Sequence, residues 1–214
     1  MKLLGNTSFG MQLGRAAGDL SHEVRGSFDQ GIALLKNPSG ALIAQNVVEY
    51  AKSLDIDVNE VMAFLALQEL AHARLFAAVP WLMPRFEALI GKYARGIDID
   101  LDAMEEQLRD AGTMDPESMA DAVNLTKVGI PDTPEQRQAM ASLETLLALV
   151  EGWVEAVVWR AGMAHIPHIE QLREMLRRER AIGGPAERTF ENLLGMQLRP
   201  KRMREAAALW ESIG

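Results

Sequence analysis

Val61-Met-Ala-Phe-Leu-Ala-Leu-Gln-Glu-Leu-Ala-His-Ala-Arg-Leu-Phe-Ala-Ala-Val79 is the stretch around which the chain is organised. From Val61 to Ala73 only Gln68, Glu69 and His72 interrupt apolar residues that would lie on every side of a helix, and a helix apolar all round is a buried one. At about 100° per residue, Gln68 and His72 project within roughly 40° of each other, with Glu69 on the flank of the same face. Three polar groups in a buried helix need partners.

A second stretch carries the same anomaly. In Leu146-Leu-Ala-Leu-Val-Glu-Gly-Trp-Val-Glu-Ala-Val-Val-Trp159 the only charged residues are Glu151 and Glu155, one turn apart on a shared face. Burying several carboxylates without partners is costly enough that they protonate, pair or coordinate a metal. The spacing in the first helix is that of the zinc-peptidase element His-Glu-x-x-His, in which two histidines one turn apart bind the metal and the glutamate is the general base; Gln68 stands at the first histidine. A polar core network has the same look, so a metal or catalytic site and a structural hydrogen-bond network both stand at this point. Packing the two polar faces together predicts that Glu69, His72 and Glu151 converge. Without a metal, an arginine between Arg173 and Arg188, Arg188 first, is expected to approach them.

The 214 residues are read as one compact domain spanning 1–214, with 48% hydrophobic and 24% charged residues. Having no cysteine, the chain has neither disulfides nor thiolate chemistry, which leaves His, Asp and Glu as strong metal ligands and suits the cytoplasm. The formal charge of −8 argues against general nucleic-acid binding. Its distribution is uneven: residues 98 to 121 carry nine acids against Arg109, a net of −8, and residues 173 to 204 carry nine Arg and Lys against four Glu, a net of +5. Both blocks read as solvated helix faces. The N-terminus lacks the apolar core of a signal peptide, and the acids in both buried helices argue against membrane spans.

Along the chain, apolar residues recurring at threes and fours predict a helix over residues 8–36, broken or kinked at Gly26, with His22 on its polar side. A turn at Asn37-Pro-Ser-Gly40, a short extended piece at Ala41-Leu-Ile-Ala44 and a helix from Asn46 to Leu54 follow. Asp57-Val-Asn-Glu60 reads as a capping box, Asp57 accepting from the Glu60 amide and Glu60 reaching back. After Pro80 come a helix from Pro84 to Arg95, an acidic helix through Asp110 and a short one from Asp115 to Asn124. The alternating acids from Asp98 invite comparison with an EF-hand loop, which fails because Ala103 and Arg109 stand where glycine and glutamate are required. Thr133-Pro-Glu-Gln136 is a second capping box, opening a long helix to Gly162 with Pro134 at its first position. His165 and His168 read as loop and cap residues. An Arg-rich helix from Ile169 to Ile182, a break at Gly183-Gly-Pro185 and helices over 186–194 and 200–212 complete the chain. A di-iron bundle would need two Glu-x-x-His elements; only Glu69 and His72 supply one.

Gln68-Glu-Leu-Ala-His-Ala-Arg-Leu-Phe-Ala-Ala-Val-Pro-Trp-Leu82, Leu149-Val-Glu-Gly-Trp-Val-Glu-Ala-Val-Val158, Gly183-Gly-Pro-Ala-Glu-Arg-Thr-Phe190 and Leu194-Gly-Met-Gln-Leu-Arg199 together resemble an actinobacterial zincin-like family of zinc-dependent metallopeptidases or hydrolases, some associated with deazaflavin-cofactor biosynthesis. The resemblance runs from Gly14 through Trp210, and members are usually longer at both ends. It implies a mainly α, single helical domain with a zincin-like core of two packed buried helices. It also implies Glu69 as catalytic base, His72 and Glu151 as metal ligands, with Gln68 or Glu155 as further candidates, and zinc as the metal. Gln68 departs from the pattern, and an amide carbonyl is a poor zinc ligand beside imidazole. Two functions follow: a degenerate site with weak or no activity on a domain kept for binding or assembly, or an active metal-dependent hydrolase of a peptide or small molecule using His72, Glu151 and Glu69. Substrate and oligomeric state are not legible.

Overall fold

The computed structural model of the chain describes residues 10, 13–15, 17, 18, 20–29, 31–36, 39–95, 133–194, 198 and 202–213. The helices expected through Asp110 and over 115–124 lie outside these residues. Among the described residues the architecture is mainly α-helical: α1 (Ala44–Leu54), α2 (Val58–Ala78), α3 (Leu82–Ala94), α4 (Pro134–Gly162), α5 (Ile169–Ile182), α6 (Pro185–Leu194) and α7 (Met203–Ile213). One two-stranded antiparallel hairpin precedes them, β1 (Phe28–Asp29) and β2 (Ile32–Ala33), with Phe28 opposite Ala33.

The hairpin corrects the sequence expectation of a helix over 8–36. Residues 20–23 are helical, but from Val24 the chain is extended, and Gly26 bridges to Leu42. The apolar spacing from Val24 to Leu35 fits either period over so short a span; tertiary contacts to α2 decide it. The extended piece expected around Leu42 is this bridge.

Helix α4 opens with the expected capping box: the Thr133 side chain accepts from Gln136 N at 3.2 Å and Gln136 Oε1 accepts from Thr133 N at 3.1 Å. Helix α2 opens differently from the expectation. Asp57 accepts from Asn59 N at 2.9 Å instead of from Glu60, and the Glu60 carboxylate reaches the His168 ring, 3.0 Å from Nδ1, and the His168 backbone N–H. His168, the N-cap of α5, thus ties the start of that helix to the start of α2.

By length and composition α2 could cross a bilayer, with a mean hydropathy of 1.3. In this fold it packs against α1 and α4. Two apolar clusters result. One joins Val47 and Ala51 of α1, Val61, Phe64 and Leu65 of α2, Val154 and Val158 of α4, and Leu172 and Leu176 of α5. The other joins Leu82, Phe86, Leu89 and Tyr93 of α3 to Ala139, Leu143, Leu147 and Val150 of α4, with Leu75 and Phe76 of α2 against it. At 1.5 Å per residue α4 is about 43 Å long, enough to serve both. The seam between the clusters falls at Glu151 on α4 and at Gln68 to His72 on α2.

Beyond Glu151, α7 lies so close to α4 that a Cβ on Gly152 would sit 2.6 Å from Ala207 N and 2.7 Å from Ala206 Cβ. Backbone cannot step aside as a side-chain tip can. Gly152→Ala is therefore expected to push α7 away and cost about 1–3 kcal/mol, measured as a drop in urea midpoint with little change in slope.

Candidate functional site

At the seam, the Glu151 carboxylate is wholly buried, at 0% relative exposure. Its Oε1 lies 2.6 Å from His72 Nε2, and its Oε2 forms an ion pair with the Arg180 guanidinium whose angles fall outside hydrogen-bond geometry. The His72 ring is fixed from its other side, where Nδ1 sits 2.8 Å from the Gln68 carbonyl. A carbonyl only accepts, so Nδ1 is the donor in that bond, and Nε2 faces the carboxylate. Phe28 of the hairpin stacks on the ring at 4.9 Å between centroids. Sequence reasoning brings Glu69, His72 and Glu151 together; the structure joins His72 to Glu151, while the Glu69 carboxylate bonds to residues 27, 28 and 41 instead.

Glu155, one turn along α4 and also buried, gathers three guanidiniums. Its Oε1 accepts from Arg173 Nε at 2.7 Å and from Arg177, and its Oε2 is 3.7 Å from Arg180 Nη1. Burial alone would push both carboxyls up. For Glu151 the Arg180 charge and then His72 outweigh it, and for Glu155 the hydrogen bonds from Arg177 and Arg173 do, so both lie below the ordinary carboxylate value. Both are ionised at neutral pH. The expected arginine is therefore Arg180, with Arg173 and Arg177 beside it; Arg188 turns to Glu23 and the Gly183 carbonyl instead.

Glu69 points to the hairpin. Its Oε2 accepts from Ser27 N at 2.9 Å, Ser27 Oγ at 2.6 Å and Ala41 N at 3.1 Å, and its Oε1 from Phe28 N at 3.2 Å. Gly26 leaves the room: a Cβ there would come 2.2 Å from Glu69 Oε1. Gln68, Glu69, His72 and Arg180 line one cavity with Gly26, Phe28 and Asp29. Its volume is about 50 Å³, room for a few waters, against the roughly 300 Å³ and more of a typical small-molecule site. A larger cavity of about 440 Å³ lies across Arg25, which lines both; there Arg25 is held by Glu179 at 2.6 Å and lies over the Tyr50 ring at 3.9 Å.

Sequence reasoning gave the range that holds Arg180 but put Arg188 first, and it missed Ser27 and Phe28. For Arg180 the signal was present: Ile169, Leu172 and Leu176 are the buried stripe of α5, and Arg180 falls at its next step. An arginine on an apolar stripe asks for a buried acid. No comparable sign marks Ser27 and Phe28, whose role depends on the hairpin.

The site thus sits where the Gln-Glu-x-x-His of α2 packs on the buried Glu151-Gly152 of α4. The whole chain, residues 1–214, matches the family of zincin-like metallopeptidases, and it belongs to that family. No curated protein and no solved structure matches it.

That family implies zinc, and the donor set here does not fit it. Gln68 offers an amide where an imidazole is needed, and Glu69 already accepts four hydrogen bonds. Glu151 has one oxygen on His72 and the other on a guanidinium. Among the described residues no group of three or more His, Asp or Glu side chains is arranged to hold a metal ion.

Two outcomes follow from the bonding. Glu69→Ala strands two buried backbone N–H groups and a part-buried third and is expected to cost about 2–4 kcal/mol in urea unfolding, with Glu69→Gln costing about 1–2 kcal/mol; an unchanged midpoint in both would deny the anchoring role. Because Glu151 and Glu155 are depressed in the folded state, their contribution is full above the unfolded value of about 4.3 and is lost as pH falls through the folded values. Through these two carboxylates the melting temperature is expected to fall below about pH 4, less steeply in Glu155→Gln.

Proposed function

We propose that this chain is a zincin-like protein whose metal site is degenerate, with weak or no hydrolase activity, its helical domain kept as a binding or assembly module. One observation carries the reading: Glu151, the glutamate that the family resemblance makes a metal ligand, has both oxygens engaged, by His72 and by Arg180. The charge balance supports it. Glu151 and Glu155 are already paired with Arg180, Arg173 and Arg177, so a dication would have to compete with guanidiniums for both carboxylates. The small cavity supports it as well, since a peptide cannot reach His72 through a space of about 50 Å³.

The purified protein, incubated with zinc and then dialysed, is expected to hold clearly less than one equivalent by elemental analysis, and to show no zinc-dependent hydrolysis of unstructured peptides. Stoichiometric zinc that is lost on His72→Ala would overturn the reading in favour of an active hydrolase using His72, Glu151 and Glu69.

A further inference from the structure

We infer that Arg180, and not Gln68 alone, excludes the metal: its guanidinium takes the place of the cation, and with it removed and a histidine at 68 the centre becomes a divalent-cation site. The inference rests on the degenerate-site reading and goes further, because the missing histidine alone would explain a weakened site and not a site whose carboxylates are already paired.

Three observations carry it. Arg180 is buried, at 6% exposure, and reaches Glu151 and Glu155 from a third helix, closing the charge of both acids from one position. Its Nε has no hydrogen-bond partner among the described residues. An arginine held for hydrogen bonding would engage that atom too, so the group is held chiefly by charge, as a cation would be. Finally, Arg180 lines the same small cavity as His72 and Gln68. Truncating its side chain would join its volume to that cavity, facing one imidazole and Glu151. A histidine at 68 would add a second imidazole one turn from the first, completing the three protein ligands that catalytic zinc sites use.

The test is cobalt(II) binding, read by the visible absorption of the tetrahedral ion and by equilibrium dialysis, in the unaltered protein, Gln68→His, Arg180→Ala and the double variant. The double variant is expected to bind one equivalent about a hundredfold or more tighter than Gln68→His alone, and to lose it on a further Glu151→Gln. Equal binding by Gln68→His with Arg180 in place would overturn the inference, as would a folded double variant that binds none. Should Arg180→Ala unfold the chain by leaving Glu151 uncompensated, far-UV circular dichroism is followed as cobalt(II) is added to the double variant. Refolding supports the inference; a chain still unfolded at saturating cobalt(II) overturns it. Zinc in the unaltered protein would instead overturn the degenerate-site reading itself, so the two failures are distinguishable.

Discussion

An ionised carboxylate with no exposure to water, at the junction of two apolar clusters, is the constraint on which the rest of the structure depends. Isolated, Glu151 would be too costly to keep charged. It is kept by two groups from two different helices, His72 of α2 and Arg180 of α5, so its burial obliges α2, α4 and α5 to meet at one point. The apolar clusters on either side are non-directional and would tolerate sliding. The His72–Glu151 hydrogen bond is directional and fixes the register of α2 on α4. Such networks contribute less to net stability than their contacts suggest, since replacing all members by apolar residues is often neutral, whereas removing one costs about 3–5 kcal/mol. Their effect is on which packing is allowed.

Glu69 performs a parallel task from the flank of the same face of α2. Three backbone N–H groups and a hydroxyl converge on its carboxylate, drawing residues 26–28 and 41 onto the helix. This is what turns the chain after Val24 into a hairpin and lays Phe28 over the His72 ring. The ring is thus confined by its own helix at Nδ1, by an aromatic face, and by Glu151 at Nε2. Two adjacent polar positions on one helix serve two different partners, and the hairpin is the joint between them.

How much of this could be read from sequence follows from the range of each interaction. The two apolar helices were legible as helices, but burial of α2 on every side is corrected by the structure: Met62, Ala63 and Leu70 of its apolar stretch are exposed. The long α4 was legible because Thr133, Pro134 and Gln136 are local signals for a local event. That His72 would meet Glu151 followed from the cost of leaving either alone. The hairpin was not legible, because its strands are two residues each and their hydrogen-bond acceptor, Glu69, lies about forty positions away in sequence. Nor was the choice of Arg180 over Arg188, although the stripe of α5 carried the sign. At the start of α2 the box pattern was present but Glu60 found a better partner in His168, a tertiary contact overriding a local one.

A metal cation and a guanidinium can neutralise the same carboxylates, but they differ in what they make the fold depend on. A bound metal exchanges with solvent, and a domain that needs it folds only as far as the metal is available. An arginine is tethered to the chain, and its charge is permanent at any physiological pH. On the reading proposed above, with Arg180 in the cation's place, the junction of α2, α4 and α5 needs no outside ligand and offers no open coordination position for metal chemistry. The Gln68 amide fits the same arrangement, since a third basic group facing Arg180 and His72 would add charge to a centre that already has enough.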